Sequence, residues 1–219
     1  MPDLSTIVLA TRNPGKIAEL RGLFAGAGVS VVGIDDVAPD APEPVEGTDS
    51  FIENATIKAR AYAAACGLPC LADDSGLEID ALGGAPDVIS SHYAFDGATD
   101  GPAAAMSREQ RDAANNERVL RELRGVTPDR RTARFVCVMV LAGADGDTLA
   151  QSRGTFEGRI GEPPAVPRGD NGFGYDPLFL VAPEHDRTGA ELGPDEKNAR
   201  SHRGAASRAM LAEIERLRG

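Results

Sequence analysis

The stretch LADDSGLEID, residues 71–80, sets two aspartates side by side in an apolar run and follows them with Glu78 and Asp80. A buried carboxylate without a partner is costly, so something cationic must stand against these acids or the stretch is not buried. Side chains alternate faces along a strand. Asp73 and Asp74, at the end of the expected strand, therefore point opposite ways, and only one of them lines a given cleft, whereas Glu78 and Asp80 share a face. A hard divalent cation takes oxygen ligands, and Mg²⁺ on a phosphorylated ligand needs only one or two carboxylates besides phosphate and water. No His or Cys accompanies these acids, which fits Mg²⁺ better than Zn²⁺. Glu46, in the acidic loop EPVEGTDSF, is the second candidate, as a metal ligand or as the holder of an attacking water. The plainer alternative is that Asp73 caps a turn and the other acids are solvated.

Three further stretches could do chemistry. TRNPGK, residues 11–16, leaves one strand and opens a helix, where free backbone N–H groups and the positive end of the helix dipole favour an anion. Thr11 and Asn13 add neutral donors, Gly15 permits close approach and Lys16 supplies a charge. The loop is not a Walker A motif, since GxxxxGK[ST] is absent; an ordinary turn with Lys16 solvated is the alternative. NGFGYDP, residues 171–177, can bring backbone amides and the faces of Phe173 and Tyr175 to a planar base, or it can be a structural turn with two core aromatics. KNARSHRG, residues 197–204, collects Lys197 for phosphate and His202 and Arg203 for carbonyl or ring-nitrogen acceptors, unless it merely caps the last helix. Each stretch alone is modest. Together they supply a phosphate loop, a metal acid, a stacking loop and keto-reading donors, the parts of a nucleoside triphosphate site.

The elements that must hold these parts follow from periodicity. TIVLAT (6–11) and VSVVGI (29–34) read as strands, with helical spacing through Ile17, Leu20, Leu23 and Phe24 between them and Gly26 and Gly28 at the helix end. That order gives an α/β fold with parallel pairing. Residues 35–50 form an ordered loop or a lid. A helix starts at Ser50 as N-cap, with Glu53 at the capping-box position. Buried strand LPCLADD and then GLEIDALGG follow. Residues 96–107 are small and flexible in composition, SREQRDAANNERVLRELRG is a mostly solvent-facing helix, and TARFVCVMVLAG pairs with TLAQSRGTFEGRI through the turn ADGD. A closing helix covers 203–219. No repeat or Pro/Ser-rich linker interrupts the chain, so one structural unit is expected over residues 1–219.

With 219 residues, 42% hydrophobic and 26% charged, the chain has ordinary soluble globular composition. A formal charge of −11 argues against a nonspecific nucleic-acid binder, while leaving room for a small anion held by local cations. The spacing in CGLPC (66–70) fits neither a CxxC redox pair nor half a zinc site. Cys66, Cys70 and Cys137 therefore read as reduced thiols packed as small hydrophobes. No stretch of about 18 uninterrupted apolar residues occurs, so no membrane span is expected, and the first residues lack a signal-peptide pattern. A reduced cytoplasmic protein is the expectation.

The blocks LATRNPGKIAEL, SFIENATIKARA, ADDSGLEIDALGGAP, TARFVCVMVLA, FGYDPLF and EKNARSHRGAA resemble, in order, the signature blocks of the non-canonical purine nucleoside triphosphate pyrophosphatases, the inosine/xanthosine triphosphatase family. They span nearly the whole chain, and their joint order is far more specific than any one block. The resemblance implies an elongated mixed central sheet flanked by helices, two lobes with an active-site cleft between them, and a homodimer. It implies Mg²⁺-dependent hydrolysis of ITP, dITP and XTP to the monophosphate and pyrophosphate, with one metal ion per subunit or more. It makes Asp74 the proton acceptor and metal-site acid and Glu46 the further metal acid. Residues Thr11, Arg12, Asn13, Pro14, Gly15, Lys16 and Lys58 become triphosphate contacts. Ser75, Phe173, Gly174, Tyr175, Asp176, Lys197, His202 and Arg203 become substrate contacts.

Three stretches depart from the pattern. EGTDSF stands where ETGxTF is common, Asp87 and His92 stand where Gly and Arg are common, and residues 97–112 are longer than typical. Donors aimed at O6 would accept hypoxanthine and xanthine and meet the amino group of adenine head-on. Two rivals remain at this stage. A Maf-like pyrophosphatase is separated by a substrate panel, and a nucleotide-binding module without turnover by Mg²⁺-dependent pyrophosphate release.

Overall fold

The computed structural model describes residues 3–25, 28–47 and 50–219, so Gly26 at the expected helix end and Thr48 and Asp49 of EGTDSF lie outside the described residues. The strands are β1 (Thr6–Leu9), β2 (Ser30–Gly33), β3 (Cys70–Ile79), β4 (Thr132–Ala142), β5 (Thr148–Ile160) and β6 (Phe179–Val181). They form one six-stranded sheet in the order β2-β1-β3-β4-β5-β6. β1 runs parallel to β2 and to β3, and β5 antiparallel to β6, so the sheet is mixed, as expected. The helices are α1 (Pro14–Phe24), α2 (Ile34–Val37), α3 (Phe51–Cys66), α4 (Arg108–Glu122), α5 (Pro194–Arg200) and α6 (His202–Arg218). None of the described helices is long and apolar enough to cross a membrane.

Two expectations change. LPCLADD and GLEIDALGG are one ten-residue strand, so the adjacent aspartates sit mid-strand and not at its end. The acidic stretch after β2 opens with the short helix α2 before it becomes loop. The chain also divides into two compact units: Met1–Asp74, Cys137–Gly154 and Ser201–Gly219 make the first, Ser75–Val136 and Thr155–Arg200 the second.

The first unit buries apolar residues on both faces of its strands, which is why TIVL reads as an unbroken apolar run. Ile7 and Leu9 of β1 join Leu71, Cys137, Met139 and Leu141 in a core closed by Leu20 and Phe24 of α1 and Met210 and Ile214 of α6. The alternate residues Val8, Cys70, Ala72 and Val140 face the small side chains Ala55, Ala59 and Ala63 of α3. Period two therefore assigns each face of β3 its own helices, α1 and α6 on the Leu71 side and α3 on the Ala72 side. Local signals set the helix starts. Asn13 caps α1 by accepting from the N–H groups of Gly15 (3.0 Å) and Lys16 (3.3 Å), and Ser50 caps α3 by accepting from Glu53 N–H. The second unit has its own core around Leu77, Ile79, Val119, Phe135, Phe156 and Phe179, with Phe179 at 4.7 Å from Phe135 and 5.4 Å from Phe156 between ring centroids.

Gly154 of β5 lets α6 approach the sheet. A Cβ there would overlap the His202 carbonyl oxygen and lie 2.6 Å from the backbone nitrogen of Ala206. Neither backbone atom can swing aside, so Gly154→Ala should destabilise the protein by at least about 1–3 kcal/mol. Equilibrium unfolding in denaturant measures this; an unchanged midpoint would show that α6 is not held in close contact at that strand.

Candidate active site

Alternation along β3 carries Asp73 to the face of Leu71 and Asp74 to the face of Ala72, and the contacts follow that division. Asp73 is buried against α1 and α6. Its Oδ2 lies 2.9 Å from Lys16 Nζ and 3.3 Å from Arg203 Nε, and Cys137 Sγ approaches to 4.0 Å. Arg203 also pairs with Glu19 of α1. Burial alone would raise the Asp73 carboxyl, but Lys16, Arg203 and Lys58 together hold it well below the usual carboxylate range.

Asp74 faces α3. Its Oδ1 accepts from Lys58 Nζ at 3.0 Å and its Oδ2 from Asn54 Nδ2 at 3.2 Å. Lys58 Nζ also donates to Glu46 Oε2 at 2.9 Å, so one ammonium spans the two acids expected to hold a metal. Burial raises the Asp74 carboxyl above its ordinary value, and Lys58 and Lys16 only partly offset it. Burial would lower the Lys58 ammonium, but Asp74 and Glu46 reverse this and hold it raised. Asn54 fixes the loop that carries Glu46, since its side chain accepts from Gly47 N–H (2.9 Å) and donates to Gly47 C=O (3.2 Å).

This donor set fits a magnesium nucleotide. Among the described residues no three His, Cys, Asp or Glu side chains gather into a metal cluster. Two carboxylates already drawn to a single positive charge nonetheless match what Mg²⁺ needs when phosphate oxygens complete its shell.

The loop at residues 11–16 departs from the expected amide cradle. Gly15 and Lys16 N–H are taken by the Asn13 side chain, Ile17 N–H by the Asn13 carbonyl and Asn13 N–H by Thr11 Oγ1, while Pro14 has none to give. Arg12 is used elsewhere: it donates to Asp35 Oδ1 (2.7 Å), Tyr62 Oη (3.1 Å) and the carbonyls of Pro39 and Ala41. Lys16, the loop's other cation, is engaged as well, its Nζ 2.9 Å from Asp73 Oδ2.

In the second unit, Asp176 and Lys197 form a buried pair at 2.6 Å, and Asp176 Oδ2 also accepts Phe173 N–H at 2.9 Å. Gly172 has φ +79°, and a Cβ there would overlap Asp176 Oδ2, so glycine is required on both counts. Three residues of α4 spaced four apart, Arg108, Asp112 and Asn116, serve the same loop. The Arg108 guanidinium sits 4.5 Å from the Phe173 ring centroid, Asp112 accepts Gly174 N–H (2.9 Å), and Asn116 donates to Gly174 C=O (3.0 Å).

Two expected substrate contacts are placed otherwise. Tyr175 is a core residue whose hydroxyl donates to Ser90 C=O at 2.7 Å, with burial raising its phenol. Arg203, expected to read the base, is 2% exposed with its guanidinium against two carboxylates. His202, also buried, starts α6 behind the Ser201 cap, and Ser75 follows Asp74 half-buried.

Sequence reasoning missed Asn54, Glu19, Arg108, Asp112 and Asn116. A signal was present for most of them: Asn54 and Lys58, like the α4 trio, repeat at the four-residue helical spacing that puts polar side chains on one face.

A family model described as the Ham1 family matches residues 7–213. A dITP/XTP pyrophosphatase of an Exiguobacterium species is 50% identical over 208 residues, covering 95% of this chain and 96% of the relative. One from Nitratidesulfovibrio vulgaris is 49% identical over 207 residues, covering 94% of each. Among solved structures, a HAM1 protein from Coxiella burnetii superposes with a TM-score of 0.79 at 40% identity, covering 96% of this chain and 98% of that one.

Removing the Asp73 charge should expose how the first unit is held. Asp73→Asn leaves Lys16 and buried Arg203 short of a counter-charge, a loss of about 3–5 kcal/mol for a broken buried pair. The Asp73 pKa is depressed on folding, so its stabilisation is complete above the unfolded value of about 3.9 and is lost as pH falls from there towards the folded value. Unfolding measured from pH 7 to pH 2 should therefore steepen in the wild type below about pH 4 and stay flatter in the variant. Parallel curves would show that Asp73 carries no such charge linkage.

Proposed function

The chain belongs to the Ham1 family, and from that premise we propose that it hydrolyses non-canonical purine nucleoside triphosphates, dITP, XTP and ITP, to the monophosphate and pyrophosphate. This removes them from the pool that feeds DNA and RNA. The observation that carries the reading is the carboxylate of Asp74: buried, raised in pKa, and held by Asn54 and Lys58 beside Glu46. A base of that kind is stronger than a solvated carboxylate and is fixed in direction.

In this reading Asp74 takes a proton from a water whose oxygen attacks the α-phosphorus. The bond from that phosphorus to the α–β bridging oxygen breaks, and pyrophosphate leaves with the electron pair. Lys58 orients Asp74 and sets positive charge beside the phosphates, and Lys16 adds a second ammonium, the kind of fixed charge from which phosphoryl transfer gains most. Asp74 and Glu46 would hold Mg²⁺ together with the triphosphate, and the bound ion would supply further positive charge against the leaving group. Phe173, backed by Arg108, offers a ring face to the base, while Gly174, Asp176 and Lys197 shape its loop. Thr11, Asn13, Ser75 and His202 complete the proposed substrate contacts. The whole chain acts as one catalytic domain, and the enzyme works as a cytoplasmic homodimer.

Asp74→Asn keeps size and hydrogen bonding but removes the base, and kcat on dITP should fall at least ~10²-fold with Tm little changed. In the wild type, kcat/KM should drop on the acid side at a pH above the ordinary carboxylate value, because Asp74 must be ionised to accept the proton and its pKa is raised. Thorough chelation with EDTA should abolish turnover, and added Mg²⁺ should restore it. A variant keeping more than about a tenth of wild-type kcat would falsify the assignment of Asp74, on the scale of general-base effects.

Arg203 supplies the second test. Its guanidinium is engaged with Asp73 and Glu19, so Arg203→Ala should lower the ITP and ATP rates together and lower Tm. If instead the ITP preference shrank by roughly 1–3 kcal/mol at unchanged Tm, Arg203 would have to contact the base edge.

A further inference from the structure

We propose that Cys66 and Cys70 form a reversible dithiol–disulfide couple where α3 hands over to β3. Their spacing in CGLPC matches no familiar redox motif, yet the fold brings the two Sγ atoms to 3.5 Å. Gly67 makes this possible. It takes the left-handed conformation at φ +67°, caps α3 by donating to Ala63 C=O, and turns the chain back so that Leu68 and Pro69 lead directly into the strand. A disulfide requires closure to about 2.05 Å.

The two thiols differ in access. Cys66 is half-buried at the end of the helix, and Cys70 is buried in the strand, where burial and the neighbouring Cys66 thiol raise its pKa. By access Cys66 is therefore the sulfur that meets an oxidant, and Cys70, out of reach of one but 3.5 Å from Cys66 Sγ, is placed to resolve it. With a low-molecular-weight disulfide such as oxidised glutathione, Cys66 displaces one thiol and becomes a mixed disulfide. Cys70 Sγ then attacks Cys66 Sγ and expels the second thiol. Two protein thiols are oxidised, one small disulfide is reduced to two thiols, and each sulfhydryl proton leaves with a released thiol or to solvent.

Cys137 is an internal control: fully buried, with the Asp73 carboxylate beside its sulfur where Cys66 and Cys70 have each other. The couple joins the two elements that present Lys58 and Asp74, so its oxidation ties the last turn of α3 to the head of β3.

The native, folded protein is incubated with oxidised glutathione, then denatured, alkylated and mapped by mass spectrometry. Titratable thiols should fall from three to one, with Cys66 and Cys70 linked in a single peptide and Cys137 alkylated, and dithiothreitol should restore all three. Cys70→Ser should stop at a glutathione adduct on Cys66, and Cys66→Ser should keep both of its thiols. Retention of all three thiols in the wild type, or arrest at the Cys66 adduct with Cys70 still reactive, would overturn the proposal.

Discussion

Two like charges on consecutive residues of a central strand are the constraint around which the first unit is built. Strand alternation forbids one cation from serving both Asp73 and Asp74 equally, and a buried carboxylate left alone would cost several kcal/mol. The chain meets this by giving each face its own cations. Lys16 and Arg203 reach Asp73 from α1 and α6, and Lys58 reaches Asp74 from α3. Three helices are thereby tied to two adjacent residues, and the small side chains at Ala55, Ala59 and Gly154 are what let α3 and α6 come close enough.

The same arrangement separates two kinds of carboxylate. Asp73 is doubly paired and held ionised far below neutrality, which suits an anchor and makes it useless as a base. Asp74 has one ammonium, which it shares with Glu46, and its pKa is raised. Two neighbouring residues of one type thus acquire opposite titration behaviour from their surroundings, the pattern expected where one acid holds structure and the other accepts a proton.

Much of this was legible in the sequence because it rests on spacing. The order of strands and helices, the cap at Ser50 and the opposite facing of the aspartates all follow from period two, period 3.6 and cap chemistry, whereas Asn13, read as a donor to an anion, caps α1 instead. Arg203 could not be read in this way. A cation before a terminal helix looks the same whether it meets a ligand or a carboxylate 130 residues upstream, and only the tertiary fold makes that pair. Tyr175 failed for a related reason, since an aromatic beside glycines fits a binding loop and a core turn equally well. The thiols of CGLPC needed the left-handed turn at Gly67, which spacing alone does not disclose.

Both loops expected to present backbone amides spend several of them internally. Residues 13–17 are satisfied by Asn13 and Thr11, and in the second unit Phe173 and Gly174 N–H are taken by Asp176 and Asp112. Hydrogen bonds of this kind brace a loop before any ligand arrives, which lowers the ordering cost of binding. In the second of these loops the Phe173 ring carries the Arg108 guanidinium at 4.5 Å from its centroid and the Lys197 ammonium at 5.5 Å. A ring face discriminates poorly among purines, because every base has one. On the proposed reading, a donor that selects a 6-oxo purine is one that these hydrogen bonds have not already consumed, which excludes the amides of Phe173 and Gly174.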